Sequence, residues 1–339
     1  MKEMQANTAL VQPGTSWSGP FGYASTDALL APGRRRISFQ RFREKRWCYL
    51  GLFHPDIIFG CAVIHLGYIS SAFVFGFDRN RRRMTEHTRV FPPLGQIQHD
   101  RNPEAGICQY RSLTGHLTIS HAGPSGTTRI KTAFRLPGKS LQADVSVHTP
   151  SYGFSPVHFL MPMENQQRAF TTKAAGLEAS GQIHLNKYRF DLPRCDTRAV
   201  LDWTNGFYPR QTFWNWACGA GTSKNGIPVG FNFSAGVYTR GLEENIVWIN
   251  GTPYPTGPVD FIYKDKTPLD PWRINSRDGR VRLTFRPEGI RRANDNFGVV
   301  KSRFMQPCGR YTVSLNCGSG RKFDIRDIAG VAEAHYARW

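Results

Sequence analysis

From Trp47 onward the apolar residues fall in short runs of strand length, and over no long stretch do they recur at i, i+3, i+4 and i+7 as a helix face requires. In the first half the runs cover residues 117–120, 128–134, 142–147 and 158–161. In the second they cover 214–221, 229–237, 245–249, 272–275 and 281–285. Asn225-Gly226, Asn250-Gly251 and Asp278-Gly279 punctuate the second series. Such dipeptides accept the positive φ angles of type I′ turns, whose twist matches the strands they join. An antiparallel meander is the expected outcome. A meander this long must close or stack to hide its edges, and a barrel of enough strands also leaves a cavity. The predicted fold class is therefore all-β, with few short helices at most, placed near the C-terminus or in the opening segment. Residues 1–44 lack periodicity and read as a basic, partly irregular lead-in. Length and pattern divide the rest into two β halves, 45–170 and 171–339.

One segment could be read differently. Residues 57–77 carry no formal charge, are followed by arginines, and are long enough to span a bilayer. They also contain His65, Ser70, Ser71 and the glycines Gly60, Gly67 and Gly76, and their apolar residues are largely β-branched or aromatic. Two buried strands reversing near Gly67 and Tyr68 are expected, and no integral membrane span.

Composition supports a folded β protein. Apolar residues make up 40% and charged residues 20%, enough core and too little charge for disorder. The net charge of +19 is partly local, in Arg34, Arg35, Arg36, Arg41, Arg43, Lys45 and Arg46, and again in Arg79, Arg81, Arg82 and Arg83. It reads as a solvated face that keeps the chain in solution, and as a basic patch able to contact anionic surfaces. No nucleic-acid-binding module accompanies it, so nucleic acid is not an expected partner. The seven cysteines form no CxxC and no zinc-finger spacing, which points to free thiols in a reducing compartment and to no metal. Residues 1–31 hold no apolar core fit for a signal peptide, so a cytoplasmic location is the default. There is no GxxxxGK[ST], no GxGxxG after a strand, no HExxH and no GxSxG, and no cofactor is expected.

The candidate chemistry is concentrated in the second half. Asp202-Trp203 precedes the turn-like Thr204-Asn205-Gly206, and Phe213-Trp214-Asn215-Trp216 follows. On a strand Trp214 and Trp216 share one face and Asn215 takes the other. A carboxyl held against apolar walls has a raised pKa and can act as an acid; alternatively Asp202 caps its turn and the tryptophans fill a core. Glu244 shares a face with Trp248, and Asn215, Asn232 and Asn245 place amides on three successive strands. Buried amides need partners, because an unpaired one costs ~1–3 kcal/mol; they either satisfy one another or orient a ligand. Asp202 and Glu244 are the candidate catalytic residues. Trp203, Trp214, Asn215, Trp216, Asn232, Asn245 and Trp248 are the candidate ligand-binding residues, expected to line a pocket of the second half with Asp202 at its mouth. Glu333 and His335 share a face if the C-terminus is a strand, and read first as a structural hydrogen bond.

Several of these residues carry a resemblance. Lys45-Arg46-Trp47-Cys48-Tyr49, His54-Pro55-Asp56, Leu66-Gly67-Tyr68, Phe77-Asp78-Arg79, Phe91-Pro92-Pro93-Leu94, Trp214-Asn215-Trp216-Ala217, Pro271-Trp272-Arg273-Ile274 and the Glu333, His335, Arg338-Trp339 ending resemble the bacterial family numbered 2804 among the domains of unknown function. That family is distantly similar to two-domain lipocalin-like proteins that include carotenoid hydratases, tocopherol cyclase and fungal cyclases. The resemblance implies two lipocalin-like antiparallel β-barrel halves packed together. It also implies a lipophilic small-molecule substrate, Asp202 as proton donor, and tryptophans that shape the pocket and stabilise a cation by their π-faces. Where those relatives commonly place a basic or His residue after the Asp, this chain has Trp203.

The expected function is a cofactor-independent acid–base enzyme of hydratase, cyclase or isomerase type acting on a lipophilic small molecule. A non-catalytic carrier with the same pocket is the alternative. A carbohydrate-active protein would need paired carboxylates on facing strands roughly 5–10 Å apart.

Overall fold

The computed structural model describes residues 15–18, 43–91, 97–122, 126–163, 167–238, 243–296, 298, 300–316 and 322–339. Among them there is no helix. The described residues form twenty-three strands in two antiparallel sheets. The first sheet takes β1 (Thr15–Ser18), β2 (Glu44–Phe53), β3 (Ile57–His65), β4 (Ser70–Asp78), β5 (Arg83–Phe91), β6 (Ile97–His99), β7 (Ala105–Ser112), β8 (Gly115–Ala122), β9 (Thr128–Leu136), β10 (Lys139–His148), β11 (Val157–Pro162), β12 (Arg168–Leu185), β13 (Tyr188–Leu192) and β14 (Arg198–Phe207). The second takes β15 (Gln211–Thr222), β16 (Pro228–Ala235), β17 (Ile246–Ile249), β18 (Thr252–Pro255), β19 (Val259–Ile262), β20 (Trp272–Ser276), β21 (Val281–Asn296), β22 (Lys301–Asn316) and β23 (Lys322–Arg338). The main path of the first sheet runs β5-β4-β3-β2-β14-β12-β10-β9-β8-β7-β6, and the second runs β18-β17-β16-β15-β23-β22-β21-β20-β19.

Each sheet curls on itself. In the first, β5 packs on β10 and β6 on β3; in the second, β19 packs on β16. The result is two lipocalin-like half-barrels. The first sheet ends at Phe207 and the second begins at Gln211, so the passage between them lies well downstream of residue 170, which falls inside β12.

The strand period of two sorts side chains into three cores. On β2, Cys48, Leu50 and Leu52 fill the inside of the first half-barrel, while Tyr49 and Phe53 point out of it. On β15, Ala217 fills the inside of the second, while Trp216, Cys218 and Ala220 point out. The outward sets meet in a third core between the half-barrels. Strands buried on both faces read as continuous apolar runs. This is why residues 57–77 look like a membrane span although they form β3 and β4, with the reversal at Gly67, φ 88°. No helix of the described residues is long and apolar enough to cross a membrane.

The half-barrels touch backbone to backbone where β12 meets β16, and again where the Ser155 N–H donates to the Gly251 carbonyl. β12 bulges between Ala175 and Leu177, Gly176 takes φ 103°, and Gly230 of β16 lies against the Ala175 carbonyl, where a Cβ would overlap it.

Three local expectations need correction. The C-terminus is not helical but part of β23, because residues on both its faces are buried against neighbouring strands. Of the three glycine turns only Asn250-Gly251 has both angles positive, φ 49° and 76°, as type I′ requires; at the other two only Gly226 and Gly279 do. Asp278 instead binds Ser276 Oγ and the Arg280 N–H through its carboxylate. Asn245 precedes β17 and is not part of a third strand. Most of the basic lead-in lies outside the described residues.

Candidate functional site

A cavity of about 250 Å³ opens in the layer between the half-barrels. Trp47, Tyr49, Ile64 and Phe73 line it from the first sheet, and Trp214, Trp216, Phe304 and Trp339 from the second half. Neither half-barrel's interior provides it, so the cavity does not belong to the second half alone.

The first polar centre is built on β12 and β14. Lys173 and Asp202 are direct cross-strand partners on the outward face, and Lys173 Nζ lies 2.6 Å from Asp202 Oδ1. The same ammonium lies 3.2 Å from Glu244 Oε2, which arrives from the segment before β17. Trp47 Nε1 donates to Asp202 Oδ1 at 3.2 Å, and the Tyr238 hydroxyl donates to Glu244 Oε2 at 3.3 Å. All of these groups line the cavity. Burial alone would pull the Lys173 ammonium down, but Asp202 and Glu244 outweigh it and its pKa ends above the ordinary value. Burial pushes the Glu244 carboxyl up; Lys173 opposes this and the nearby Asp202 charge adds to it, leaving the net direction upward.

A second polar centre lies on β21, β22 and β23. Glu333 accepts from Trp214 Nε1 at 2.9 Å and from Gln306 Nε2 at 2.8 Å. Arg291 Nη1 donates to Gln306 Oε1 at 2.8 Å, and Arg291 Nη2 donates to Glu86 Oε1 at 3.0 Å. The Arg291 guanidinium lies 4.3 Å and 4.4 Å from the ring centroids of Phe73 and Phe75. His335 Nδ1 is 3.6 Å from Glu333 Oε1, and its Nε2 is 2.9 Å from Ser302 Oγ.

Strand register sets the two centres in one row. Trp216 pairs with Glu333 of β23 on one side and with Ser234 of β16 on the other. The Ser234 N–H donates to Asn245 Oδ1, next to Glu244. Gln306 and Arg291 continue the row beyond Glu333 as cross-strand partners.

Of the sequence candidates, Asp202, Glu244, Trp214 and Trp216 come together on the cavity wall. Trp203, one residue from Asp202, takes the opposite face and is buried inside the first half-barrel. Asn215 turns away from the cavity toward the Tyr263 hydroxyl and the Glu333 carbonyl. Asn232 holds the site from behind: its Oδ1 accepts from Trp216 Nε1 at 2.9 Å and its Nδ2 donates to the Glu244 carbonyl at 2.8 Å. Asn245 fixes Ser234 in the same way, donating also to the Gly257 carbonyl. Trp248 is buried between the half-barrels, with Nε1 on the Ser155 carbonyl. The amides thus satisfy the frame and do not face the cavity. Among the described residues no group of three or more His, Cys, Asp or Glu is arranged to hold a metal ion.

Lys173, Arg291, Gln306 and Tyr238 were not singled out by sequence reasoning. Lys173 left one trace, as the single charge within the stretch 169–177, otherwise apolar, small or threonine.

Two lipocalin-like half-barrels with a polar-ended, aromatic cavity between them define the class. Residues 2–339 match the family described as a domain of unknown function, DUF2804, and the chain belongs to that family. No curated protein matches it in sequence. Among solved structures it is similar to a protein from Nitrosomonas europaea assigned as AttH, at 14% identity and TM-score 0.52, over 90% of this chain and 98% of that one. It is similar to kievitone hydratase from Nectria haematococca, at 9% identity and TM-score 0.50, over 87% and 88%. It is also similar to CghA, solved with Sch210972, at 10% identity and TM-score 0.53, over 95% and 98%. At these identities the likeness is one of fold.

Proposed function

We propose that the chain is an acid–base enzyme of hydratase, cyclase or isomerase type that acts on a lipophilic small molecule in the cavity between its half-barrels. The observation that carries this reading is one buried ammonium, Lys173, shared by two carboxylates, Asp202 and Glu244, on a wall rich in aromatic side chains. One ammonium compensates one carboxylate. The low-dielectric surroundings favour the cluster that holds a second proton, and Glu244, whose pKa is raised, is the group to carry it. Glu244 is then the proton donor. Asp202, hydrogen-bonded by Trp47 and paired with Lys173, fixes the ammonium. A positioned acid of this kind contributes roughly 10²–10⁴-fold to a rate. The hydratase named among the similar structures is consistent with such chemistry.

The test uses protein purified from its own host, with native mass spectrometry to find a copurifying molecule, followed by incubation with a host lipid extract in D₂O. The wild-type protein should yield a product carrying solvent deuterium. Glu244→Gln should abolish that product while retaining the copurifying ligand. Unchanged ligand with both proteins would mark the chain as a carrier.

A further inference from the structure

The chain carries a net charge of +19, yet its cavity wall is acidic. Among the described residues, five carboxylates, Glu86, Asp202, Glu244, Asp295 and Glu333, line it against the cations Lys173, Arg291 and Lys301. Pairing does not remove the excess where the aromatic rings are. Arg291 is taken by Glu86. Lys173 is divided between Asp202 and Glu244. Glu333 is held by the neutral donors of Trp214 and Gln306, which fill lone pairs without cancelling charge. Glu333 is thus left without a cation in these bonds, and the Lys173 end is balanced only while Glu244 holds a proton, whose place a cation can take.

Trp216 stands between those ends, its register partners being Glu333 on one side and Ser234, beside the Glu244 segment, on the other. Tyr49 meets Trp216 edge-on at 5.3 Å, and the rings of Trp214 and Trp339 lie 5.8 Å apart. Aromatic faces attract a cation by their quadrupole, most strongly where water is excluded. Carboxylates brought out of water without a full complement of cations are under strain that a positive guest relieves.

We propose that the cavity takes hydrophobic organic cations: apolar molecules bearing a quaternary or protonated nitrogen, seated beside Trp216 between Glu244 and Glu333. This rests on the cavity of the proposed function and adds the charge of its ligand. Anions, which the surface of the chain attracts, are repelled from this wall.

Three probes of similar size separate the outcomes: benzyltrimethylammonium, its neutral carbon analogue neopentylbenzene, and benzenesulfonate. Binding is followed by tryptophan fluorescence and by calorimetry on the full chain. The cation should bind about tenfold more tightly than the neutral analogue, a difference of about 1.4 kcal/mol, and benzenesulfonate should bind least. Glu333→Gln and Glu244→Gln should each bring the cation-to-neutral ratio to within about threefold, with the neutral analogue unaffected. Circular dichroism checks that both variants fold, and the ratio in the wild-type protein decides the matter if either does not. Equal affinity for cation and neutral analogue, preference for benzenesulfonate, no binding of any probe, or a ratio unchanged in folded variants would overturn the proposal. Because binding is read without turnover, absence of product in the lipid-extract assay does not bear on this result, and a failed cation preference does not bear on that assay.

Discussion

Lys173 and Asp202 sit opposite each other on β12 and β14, and the contact between them, 2.6 Å from Nζ to Oδ1, is shielded from water on both sides: Lys173 is 1% exposed and Asp202 8%. The neighbouring register pair, Thr172 and Trp203, turns the other way into the first half-barrel. One step of strand parity thus separates a cavity ion pair from a packed core.

Removing the ammonium should be costly. Lys173→Met leaves Asp202 and Glu244 buried with no cation between them, a loss that in comparable sites amounts to about 3–5 kcal/mol. Adding Asp202→Asn to Lys173→Met should restore a large part of it, since the uncompensated charge goes. Urea denaturation of the three proteins checks this, and a Lys173→Met variant as stable as wild type would contradict the burial of the pair.

The seat between half-barrels should be intolerant of a single methyl group. In Gly230→Ala the new Cβ meets the Ala175 carbonyl, which belongs to a bulged backbone and not to a side chain that could rotate away. Overpacking of this kind costs about 1–3 kcal/mol. The urea midpoint of the variant should fall accordingly, whereas Gly226→Ala, at a turn with open space around it, should suffer only from its positive φ.

Strand positions were legible in the sequence because a period of two and glycine turns are local signals, and β8, β9, β10, β15 and β16 lie where the apolar runs place them. The meander neighbours, such as β15 with β16 and β16 with β17, followed from the same signals, but the pairings that join one meander to the next were not legible. β14 pairs with β2, bringing Asp202 beside Tyr49 from far along the chain, and no local signal encodes that. Nor was the inward side of each strand legible, because a strand between two cores is apolar on both faces. Asp202 and Trp203 therefore looked like one site when they face opposite ways. Glu333 and His335 were recognisable as a same-face pair, but nothing short of the register with Trp216 and Trp214 shows that this face is the cavity. The amides of Asn232 and Asn245 visibly need partners in the sequence; what hides their role is that backbone groups, the Glu244 carbonyl and the Ser234 N–H, satisfy them.

The thiols should divide sharply by access. Cys195 is exposed, whereas Cys48, Cys61, Cys108, Cys218 and Cys308 are buried and unbridged. Burial also pushes the Cys308 thiol up to about 12, so little of it is thiolate near neutral pH. Iodoacetamide on the native protein should label Cys195 alone among these six, with the other five reacting only in denaturant. Peptide mapping by mass spectrometry reads the result, and rapid native labelling of Cys218 would place solvent inside the core between the half-barrels.

Glu244 should make the folded protein less stable as pH rises. Its carboxyl is raised above the ordinary 4.5 by burial and by Asp202, against the pull of Lys173. Above pH 4.5 the unfolded chain has released this proton while the folded chain still holds it, so the folded state binds more protons and stability falls with rising pH until the folded value is passed. The stability contributed by the protonated carboxyl is therefore fully present below its ordinary pKa and lost as pH climbs through the raised one. The groups facing it are Lys173 and Asp202 from β12 and β14, together with Tyr238, whose hydroxyl donates to Glu244 Oε2 and whose own pKa burial holds well above its ordinary value. Lys173 and Tyr238 are both held above their ordinary values, so neither titrates between about pH 4.5 and neutrality. Glu244→Gln cannot lose the proton and should lack the decline. The stability difference between wild type and Glu244→Gln, from urea titrations between about pH 4 and about pH 8, should move in favour of the variant as pH rises. Asp202→Asn, by removing the like charge, should shift the wild-type decline to lower pH. A difference that is flat with pH, or that grows in favour of wild type, would mean that Glu244 is ionised throughout and is not the group that carries the transferable proton.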